Sequence, residues 1–251
     1  SFDSLNALIC LPPLDVFLRG EAAICASRLM DSGVPMPRYR AFAKRKLLPH
    51  VDLCLRDLEA SGFAPTLSDR VPATILPTRD FKVEIRPREE ANDHWNPGEV
   101  HCYTDGSKQG ENAGFGICIY TNNTCHYEFS QHVGNLSSVF QSEVLAISAC
   151  AAELMAQNTR TKRIIVHSDS QAAIKAIDRF MTCSRTVADC VYQLNQLVAH
   201  RNSVTVRWIP GHSGFPGNEL ADSLAKTGSA GILCGPTPAV RIPSTVIYSK
   251  I

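Results

Sequence analysis

The sequence lacks an excess of charge of either sign. Its 251 residues include 25 lysines and arginines and 24 aspartates and glutamates, which gives a formal net charge of +1. A protein that binds nucleic acid through its overall field is instead strongly basic. Any nucleic-acid contact must therefore be local. A hydrophobic content of 44% is enough for a buried core, and the length allows one large domain or two small ones.

Paired cysteines are also lacking. Ten cysteines are scattered through predicted strands and helices, with no Cys-x-x-Cys pair and no Cys/His cluster of zinc-site spacing. This pattern excludes a zinc ribbon and does not favour a disulfide framework. We expect most of these cysteines to be small buried side chains in a reducing compartment.

The sequence has no uninterrupted apolar run of the roughly 18 residues that a membrane-spanning helix needs. The chain begins at Ser1 and carries no basic n-region followed by an apolar stretch, so we do not expect a signal peptide. These absences favour an intracellular piece of a longer protein, with no membrane partner. Nucleus and cytoplasm both stay open, because no compact basic signal is decisive.

The chain changes character near residue 98. Before it, the apolar spacing predicts two helices, Leu14 to Met30 and Val51 to Ser61, joined by proline-punctuated connectors. We predict a helical connector over residues 1–98, ending in a polar linker from Arg88 to Gly98, and a compact domain over 99–228. The Pro-, Gly- and Ser-rich tail, 229–251, is expected to be flexible.

A basic cluster lies in the first half of the chain. It is either a solvated helix face or a patch that contacts phosphates. Its members are Arg38, Arg40, Lys44, Arg45 and Lys46.

The second half begins with three predicted strands, Val100 to Asp105, Gly114 to Thr121 and Cys125 to Val133. Asp105-Gly106 and Asn122-Asn123 supply turn chemistry between them. The helices and strands that follow are predicted at residues 138–157 (helix), 164–167 (strand), 171–180 (helix), 186–200 (helix), 204–209 (strand) and 217–225 (helix). This order predicts an α/β fold with a five-stranded mixed sheet, three antiparallel strands and then helix-linked parallel ones, flanked by helices.

Four carboxylates stand at the edges of these elements: Asp105, Glu143, Asp169 and Asp222. The first and fourth strands can lie side by side and parallel, which places Asp105 and Asp169 at neighbouring carboxyl ends. Glu143 lies in the second turn of the long helix and Asp222 early in the last helix. We therefore expect all four side chains to face one crevice.

Carboxylates packed this closely repel one another unless they are protonated or bind cations. Two hard divalent ions accept oxygen ligands, and ions about 4 Å apart can activate a water and stabilise the leaving oxygen of a phosphodiester. The pattern predicts a magnesium or manganese site. His212, in a glycine-rich loop before Asp222, is either a proton shuttle that helps product leave or an exposed side chain without a role. His167 faces the opposite side of its strand, so we expect no catalytic role.

The stretch 99 to 228 resembles the type 1 ribonuclease H domain. The resemblance is carried by Tyr-Thr-Asp-Gly-Ser, Gln-Ser-Glu-Val-Leu-Ala-Ile, His-Ser-Asp-Ser-Gln-Ala-Ala and Gly-His-Ser-Gly-Phe-Pro-Gly-Asn-Glu-Leu-Ala-Asp. It implies that Asp105, Glu143, Asp169 and Asp222 are the metal-binding catalytic carboxylates and that His212 is a mobile loop histidine. It also implies endonucleolytic hydrolysis of the RNA strand of RNA/DNA hybrids, with two Mg²⁺ ions that Mn²⁺ can replace.

The sequence upstream of residue 99, including Leu-Pro-Pro-Leu-Asp-Val-Phe, is similar to the region downstream of the polymerase in non-LTR retrotransposon polyproteins of the jockey group. No acidic polymerase motif of the Asp-Asp kind is present. Residues 1–98 thus resemble a connector that trails a reverse transcriptase, and a reverse transcriptase domain is the implied partner in the full-length polyprotein.

Two departures from the family pattern concern substrate binding. Phe140 and Val139 stand where the family often has asparagine or glutamine, so contacts to RNA 2′-hydroxyls must come from the main chain or from Gln141, which competes as a helix cap. The segment from Phe180 to Arg185 is too short for the basic handle of some members, and weak binding by the isolated domain is expected. The substrate contacts that we expect are at Gly106, Ser107, Gln141, Ser170 and Asn218.

Two other functions stay open at this point. Integrases and resolvases have related folds and act on other nucleic acids, but they lack the Gly-Asn-Glu-x-x-Asp helix with its preceding histidine loop. A catalytically silent fold that only binds nucleic acid or a partner is the alternative from a different class. Silent copies usually lose carboxylates, and here all four are present.

Overall fold

The computed structural model describes residues 14–31, 50–60, 68–76, 78–91, 94–235 and 238–250. Two compact units make up the chain, one of residues 1–72 and 243–251 and the other of residues 73–242. The first unit contains helices α1 (Leu14–Asp31) and α2 (His50–Ala60), which confirm the two predicted helices to within one residue at each end. The basic cluster at 38–46 lies outside the described residues.

The second unit is built around one mixed sheet. Its strands are β2 (Lys82–Glu84), β3 (Val100–Gln109), β4 (Asn112–Thr121), β5 (Thr124–Gly134), β6 (Arg163–Ser168) and β8 (Ser203–Trp208). Its helices are α3 (Val139–Ala156), α4 (Gln171–Ile177), α5 (Arg185–Ala199) and α6 (Pro216–Ala230). A short 3₁₀ helix, Arg88–Glu90, lies in the predicted linker.

The strand order is β2-β8-β6-β3-β4-β5. The β3-β4 and β4-β5 pairs are antiparallel, whereas β3-β6, β6-β8 and β2-β8 are parallel. The predicted α/β sheet of three antiparallel strands followed by helix-linked parallel ones is confirmed. The predicted number of five strands is wrong, because β2 adds a sixth at the edge. The three residues of β2 are too few to show an alternating pattern in the sequence. An ion pair between Glu84 of β2 and Arg207 of β8, at 2.9 Å, holds the two strands together.

Strands β1 (Arg70–Ile75) and β7 (Met181–Ser184) form a separate two-stranded sheet. The main-chain N–H of Leu76 donates to the carbonyl oxygen of Phe180 at 2.9 Å. The sequence predicted only a connector between the helices at 180–185. Strand β7 forms because residues distant in the sequence supply its hydrogen-bond partners, which local propensity does not reveal.

The two predicted turns have different outcomes. Asn122 and Asn123 have φ values of 50° and 63° and form the tight turn between β4 and β5, as predicted. The turn predicted at Asp105-Gly106 is wrong, because both residues lie inside β3 and the chain reverses at Gly110 and Glu111.

Helix α3 lies in the core between the sheet and α5. Ser138 caps it in a box with Gln141, which confirms the predicted capping box. One stripe of the helix is fully buried, and it comprises Val144, Ile147, Cys150, Ala151 and Leu154. Burial of each larger aliphatic side chain in this stripe stabilises the fold by about 1.5–3 kcal/mol. Within the described ranges, α3 is also the one helix long and apolar enough to cross a membrane, but half of it is buried inside the protein, as in a core helix.

The two faces of the sheet have different coverings. Helices α3, α4 and α5 bury the larger core cluster, and α6 covers the other face over β3, β4 and β5. Tyr103, Cys118, Ile209 and Ala221 are fully buried in this second cluster. Helix α6 continues to Ala230, beyond its predicted end at residue 225. The first turns of α3 and α6 both approach β3, since a Cβ on Gly106 would meet Glu143 and one on Gly217 would meet Tyr103.

The predicted domain limits and the compact unit differ. The unit runs from 73 to 242, so it includes strand β2 from the predicted connector and part of the predicted flexible tail. In that tail, Ile242 is fully buried and α7 (Ser244–Lys250) is helical. All nine described cysteines are free thiols, but the expectation that most would be buried is not met. Four are buried, Cys102, Cys118, Cys150 and Cys190, and the other five are half-buried or exposed.

Candidate metal centre and active site

Asp105 and Asp169 meet where the parallel pairing of two neighbouring strands, β3 and β6, ends. Thr104 of β3 is in register with Ser168 of β6, and Asp105 and Asp169 each follow by one residue. Asp105 is only 7% exposed, while Asp169 is half-buried. The predicted adjacency of these two carboxylates is confirmed by this register.

Glu143 reaches the same point from α3. The helix passes so close to β3 that a Cβ on Gly106 would lie 2.5 Å from the main-chain nitrogen of Glu143. Only a glycine permits this approach, since Cβ atoms essentially never come within 3.0 Å of a heavy atom outside their own stretch of chain. This explains why the Asp105-Gly106 pair lies in a strand: the glycine serves the contact with α3.

Oxygen atoms of Asp105, Glu143 and Asp169 lie within 4.8 Å of one another. Glu143 is 7% exposed, and its Oε2 is buried without a hydrogen-bond partner. A buried carboxylate oxygen without a partner is costly in free energy. The arrangement leaves an acceptor aimed into the cluster that a cation would satisfy.

The pKa values in this cluster show the strain of crowded negative charge. Burial, with help from Asp169 and Asp222, raises the pKa of Asp105 to about 7. Burial and the charges of Asp105 and Asp169 raise the pKa of Glu143 to about 9. The pKa of Asp169 is also raised, mainly by burial. Near neutral pH, the metal-free cluster therefore holds protons that a divalent cation would displace.

Asp222 stands at the edge of this cluster on α6. It lies within hydrogen-bonding reach of Asp105, and its charge helps to raise the Asp105 pKa. Its Oδ2 forms an ion pair with Lys226 at 2.6 Å, one helical turn further on. The three-carboxylate cluster is thus extended by a fourth carboxylate that an ammonium group balances.

Three residues hold Asp169 in place. Asn218 Nδ2 lies 3.4 Å from Asp169 Oδ2, and Trp208 Nε1 donates to the Asp169 carbonyl at 3.0 Å. A Cβ on Gly211 would lie 2.7 Å from Asp169 Oδ2, so the loop after β8 also passes directly against this carboxylate. Asp169 is therefore contacted at its carboxylate by α6 and the histidine loop and at its main-chain carbonyl by β8.

His212 is 77% exposed and has a φ of 49°. Its Nδ1 lies 4.0 Å from Glu219 Oε2, and His212, Glu219 and Asp222 offer ligand atoms within 4.8 Å of one another. Arg88 donates to Ser213 Oγ in the same loop at 3.1 Å. The loop histidine thus lies beside the cluster rather than in it.

Glu219 was missed in the sequence, although its spacing of three residues from Asp222 puts both on one helix face.

The residues present fit a divalent metal ion. Hard cations such as Mg²⁺ prefer carboxylate oxygens, and Asp105, Glu143 and Asp169 supply three that converge. The Glu143 oxygen without a partner and the raised pKa values both show that a cation would stabilise the ionised cluster. The cluster can therefore hold a metal ion, with Asp222 next to it.

The expected substrate contacts have different environments. Gln141 is 1% exposed; its Oε1 accepts from the Ser138 N–H, and its Nε2 donates to the Arg241 carbonyl at 2.8 Å. Its capping role is therefore confirmed and a direct hybrid contact is not favoured. Asn218 is also buried against Asp169, and Ser170 Oγ caps α4.

Gly106 and Ser107 are half-buried in the second half of β3, directly after Asp105. Both stay predicted substrate contacts.

His167 lies outside the cluster, but the predicted orientation to the opposite side of the sheet is wrong. Its ring stacks on that of Tyr103, with centroids 4.6 Å apart, and Tyr103 lies two residues before Asp105 on the same face of β3. His167 is fully buried, and its Nε2 lies 3.0 Å from Nδ1 of His101, which in turn contacts Glu99. Trp95 stacks on His101 with ring centroids 4.4 Å apart. Burial holds the pKa of His167 well below its usual value, so its ring is neutral and packs as part of the structure.

A protein-family model described as RNase H matches residues 97–230. The chain is 31% identical over 146 residues to a Ribonuclease H of Marinobacter nauticus, in an alignment that covers 52% of this chain and 94% of that protein. It is 32% identical over 145 residues to a Ribonuclease H of Idiomarina loihiensis, which covers 52% of this chain and 88% of that protein.

Solved structures with similarity include RNase H1 of the archaeon Halobacterium salinarum, at 22% identity and a TM-score of 0.44, covering 52% of this chain and 97% of that one. The protease-reverse transcriptase of prototype foamy virus is 21% identical with a TM-score of 0.46, covering 56% of this chain and 22% of the viral one.

Proposed function

Because the chain belongs to the ribonuclease H family, which the match over residues 97–230 shows, we propose that it hydrolyses the RNA strand of RNA/DNA hybrids endonucleolytically. The observation that carries this proposal is the convergence of Asp105, Glu143 and Asp169 within 4.8 Å, with a buried Glu143 oxygen that has no partner. A carboxylate oxygen that is buried without a partner is unusual in a purely structural cluster.

The four carboxylates have distinct roles in the proposed reaction. Asp105, Glu143 and Asp169 would bind and orient the metal ions. Asp222 extends the same site towards α6. Two Mg²⁺ ions, which Mn²⁺ can replace, supply charge neutralisation and Lewis acidity for phosphodiester hydrolysis when bound. Asn218 and Trp208 keep Asp169 in its orientation, through its carboxylate and its carbonyl respectively.

His212 has the proposed role of moving a proton at the edge of the site. Its ring is exposed and lies near both Asp222 and Glu219, so it can exchange protons with solvent and with the leaving group. A side chain in this position assists turnover, whereas the carboxylates are required for it.

The chain is further proposed to be part of a retroelement replication protein that also carries a reverse transcriptase domain. This proposal is supported by the sequence of residues 1–98. Its segment Leu-Pro-Pro-Leu-Asp-Val-Phe resembles the region after the polymerase in jockey-group polyproteins. Pull-down of the separately expressed polymerase region by this chain would test the partnership, and absence of any association would count against it.

The activity itself is tested by cleavage of an end-labelled RNA/DNA hybrid beside double-stranded RNA, double-stranded DNA and single strands. We expect cutting of the RNA strand of the hybrid alone, with 3′-hydroxyl and 5′-phosphate ends, in Mg²⁺ or Mn²⁺ and not in EDTA. A folded protein that binds the hybrid and cuts nothing would instead support the catalytically silent binding module.

A further inference from the structure

Strand β2 and the short 3₁₀ helix after it precede the matched family region, which begins at residue 97. The strand pairs in parallel with β8, and Glu84 lies opposite Arg207. Because the carboxyl ends of parallel strands lie at the same end of a sheet, the chain that follows β2 leaves the sheet beside the chain that follows β8. The segment after β8 is the histidine loop, residues 209–215, which carries His212.

Arg88 lies four residues after β2, in the 3₁₀ helix. The N–H of Glu90 donates to the Pro87 carbonyl at 3.0 Å, which closes this turn of chain. The ion pair between Glu84 and Arg207 holds the preceding strand on the sheet. The main chain of Arg88 is thus placed by its connection to the sheet, although its side chain is exposed.

The side chain of Arg88 reaches the histidine loop. Its Nη2 donates to Ser213 Oγ at 3.1 Å, and Ser213 Oγ donates to the Gly211 carbonyl at 3.1 Å. The main chain at Gly211 passes directly against Asp169, since a Cβ there would lie 2.7 Å from the Asp169 Oδ2. Three successive contacts therefore connect Arg88 to a carboxylate of the metal centre.

His212 has weak restraints of its own. Its ring is largely exposed, and its Nδ1 lies 4.0 Å from Glu219 Oε2. Its φ of 49° is in the left-handed region, which is unfavourable for a residue with a Cβ atom. A loop keeps such a conformation when neighbouring contacts hold it there. The hydrogen bonds of Ser213, the next residue in the chain, are contacts of this kind.

We propose that Arg88 is a positioning residue, which acts through Ser213 to hold the histidine loop so that His212 stays beside Asp222. The inference rests on the proposed function, since His212 has its role in that reaction. It gives a segment that precedes the family match a part in turnover.

The first test is a double-mutant cycle of Arg88→Ala and His212→Ala in the full chain, with kcat and KM measured on the RNA/DNA hybrid. Arg88→Ala should lower kcat by about threefold to tenfold and change KM by less than about twofold, because a misplaced proton-transfer group slows turnover more than it weakens binding. In the His212→Ala background, Arg88→Ala should have no further effect, because the side chain that it positions is absent.

Two further variants test the route of the effect. Ser213→Ala removes the acceptor of the Arg88 hydrogen bond, so it should lower kcat to a similar extent, and Arg88→Ala should then add nothing. The matched control is Arg86→Ala, an exposed arginine two residues earlier that pairs with Glu84 at 3.3 Å, and it should keep the wild-type kcat. All of these variants should keep the wild-type melting temperature, because the substituted side chains are exposed.

Order in the histidine loop is measured without reference to activity. Amide ¹⁵N relaxation of His212 and Gly214 should give lower order parameters in Arg88→Ala than in the wild type, and wild-type values in Arg86→Ala. The salt dependence of hybrid binding, measured in an Asp105→Asn background, should not change in Arg88→Ala, since a positioning residue does not contact phosphate.

The outcomes separate this inference from the activity on which it rests. If the wild type cuts the hybrid but Arg88→Ala leaves either kcat or the loop order parameters unchanged, or its effect multiplies with that of His212→Ala, the inference is overturned and the proposed function stands. A raised KM with a salt slope smaller by about 1 would make Arg88 a phosphate contact and would also overturn the inference. If the wild type cuts no substrate, the proposed function and this role of Arg88 are both overturned.

Discussion

Asp105 and Asp169 each stand one residue beyond the last in-register pair of two neighbouring parallel strands, Thr104 and Ser168. Main-chain pairing of the two strands therefore sets the spacing of the two residues, and the side chains of Asn218 and Trp208 then orient Asp169. Because the sheet sets this spacing, removing a carboxylate should change the chemistry of the site and leave the fold intact.

Replacing Asp105 by asparagine should abolish cleavage. The substitution removes a central carboxylate of the cluster but keeps its shape. It should also stabilise the metal-free protein by on the order of 2 kcal/mol near pH 8, because a buried charge beside Asp169 and Asp222 is lost. Hybrid cleavage and denaturant unfolding in EDTA would measure the two effects. Asp169→Asn is the parallel variant, and full activity in either one would remove that residue from its assigned role.

The stability of the metal-free protein should fall as the pH rises. Folding raises the pKa of Asp105 from 3.8 to about 7 and that of Glu143 from 4.5 to about 9. A raised folded-state pKa gives stability that is fully present below the unfolded value and is lost as the pH rises through the folded value.

Melting temperatures in EDTA should therefore decline between about pH 5 and about pH 9. Saturating Mg²⁺ should flatten this decline, and Asp105→Asn should make it shallower. Melting temperatures that stay level in EDTA over this range would show that the two carboxyl groups are not buried as described.

Replacing His212 by alanine should slow turnover by about tenfold to a hundredfold without stopping it. The ring is 77% exposed, so the melting temperature should not change. Single-turnover and steady-state rates would show whether chemistry or product release is slowed. Complete inactivity would mean that the histidine is a ligand or a structural residue.

Two glycine substitutions should separate stability from activity. In Gly106→Ala, the new methyl group meets the main chain of α3, which cannot yield easily, so about 1–3 kcal/mol of stability should be lost together with activity. In Gly211→Ala, it meets the Asp169 carboxylate, so activity should fall with a smaller loss of stability. Urea unfolding and hybrid cleavage would measure both, and equal losses of stability would contradict the distinction.

The sequence predicted the parts of this site that depend on strand order and helix periodicity. Asp105, Glu143 and Asp169 converge as expected because the β3-α3-β6 connection determines where strand ends and helix starts meet. The contribution of Gly106 was not predictable, since Asp-Gly is a strong local turn signal and only the packing of α3 shows why it lies in a strand.

Contacts between segments that are distant in the sequence explain the other differences. Strands β2 and β7 have three and four residues, too few for a periodic pattern, and each forms because a remote strand pairs with it. Gln141 was expected to contact substrate, but its partner is the Arg241 carbonyl, a hundred residues away. No local pattern in the predicted flexible tail indicated that contact.

Proton release on metal binding tests the central claim, that a protonated carboxylate cluster is the metal centre. Calorimetric titration with Mn²⁺ at pH 7, in buffers of different ionisation enthalpy, measures the number of protons released. The raised pKa values of Asp105 and Glu143 predict release of roughly one to two protons per protein, and fewer for Asp105→Asn. Binding without proton release, or no binding by the folded protein, would contradict the account.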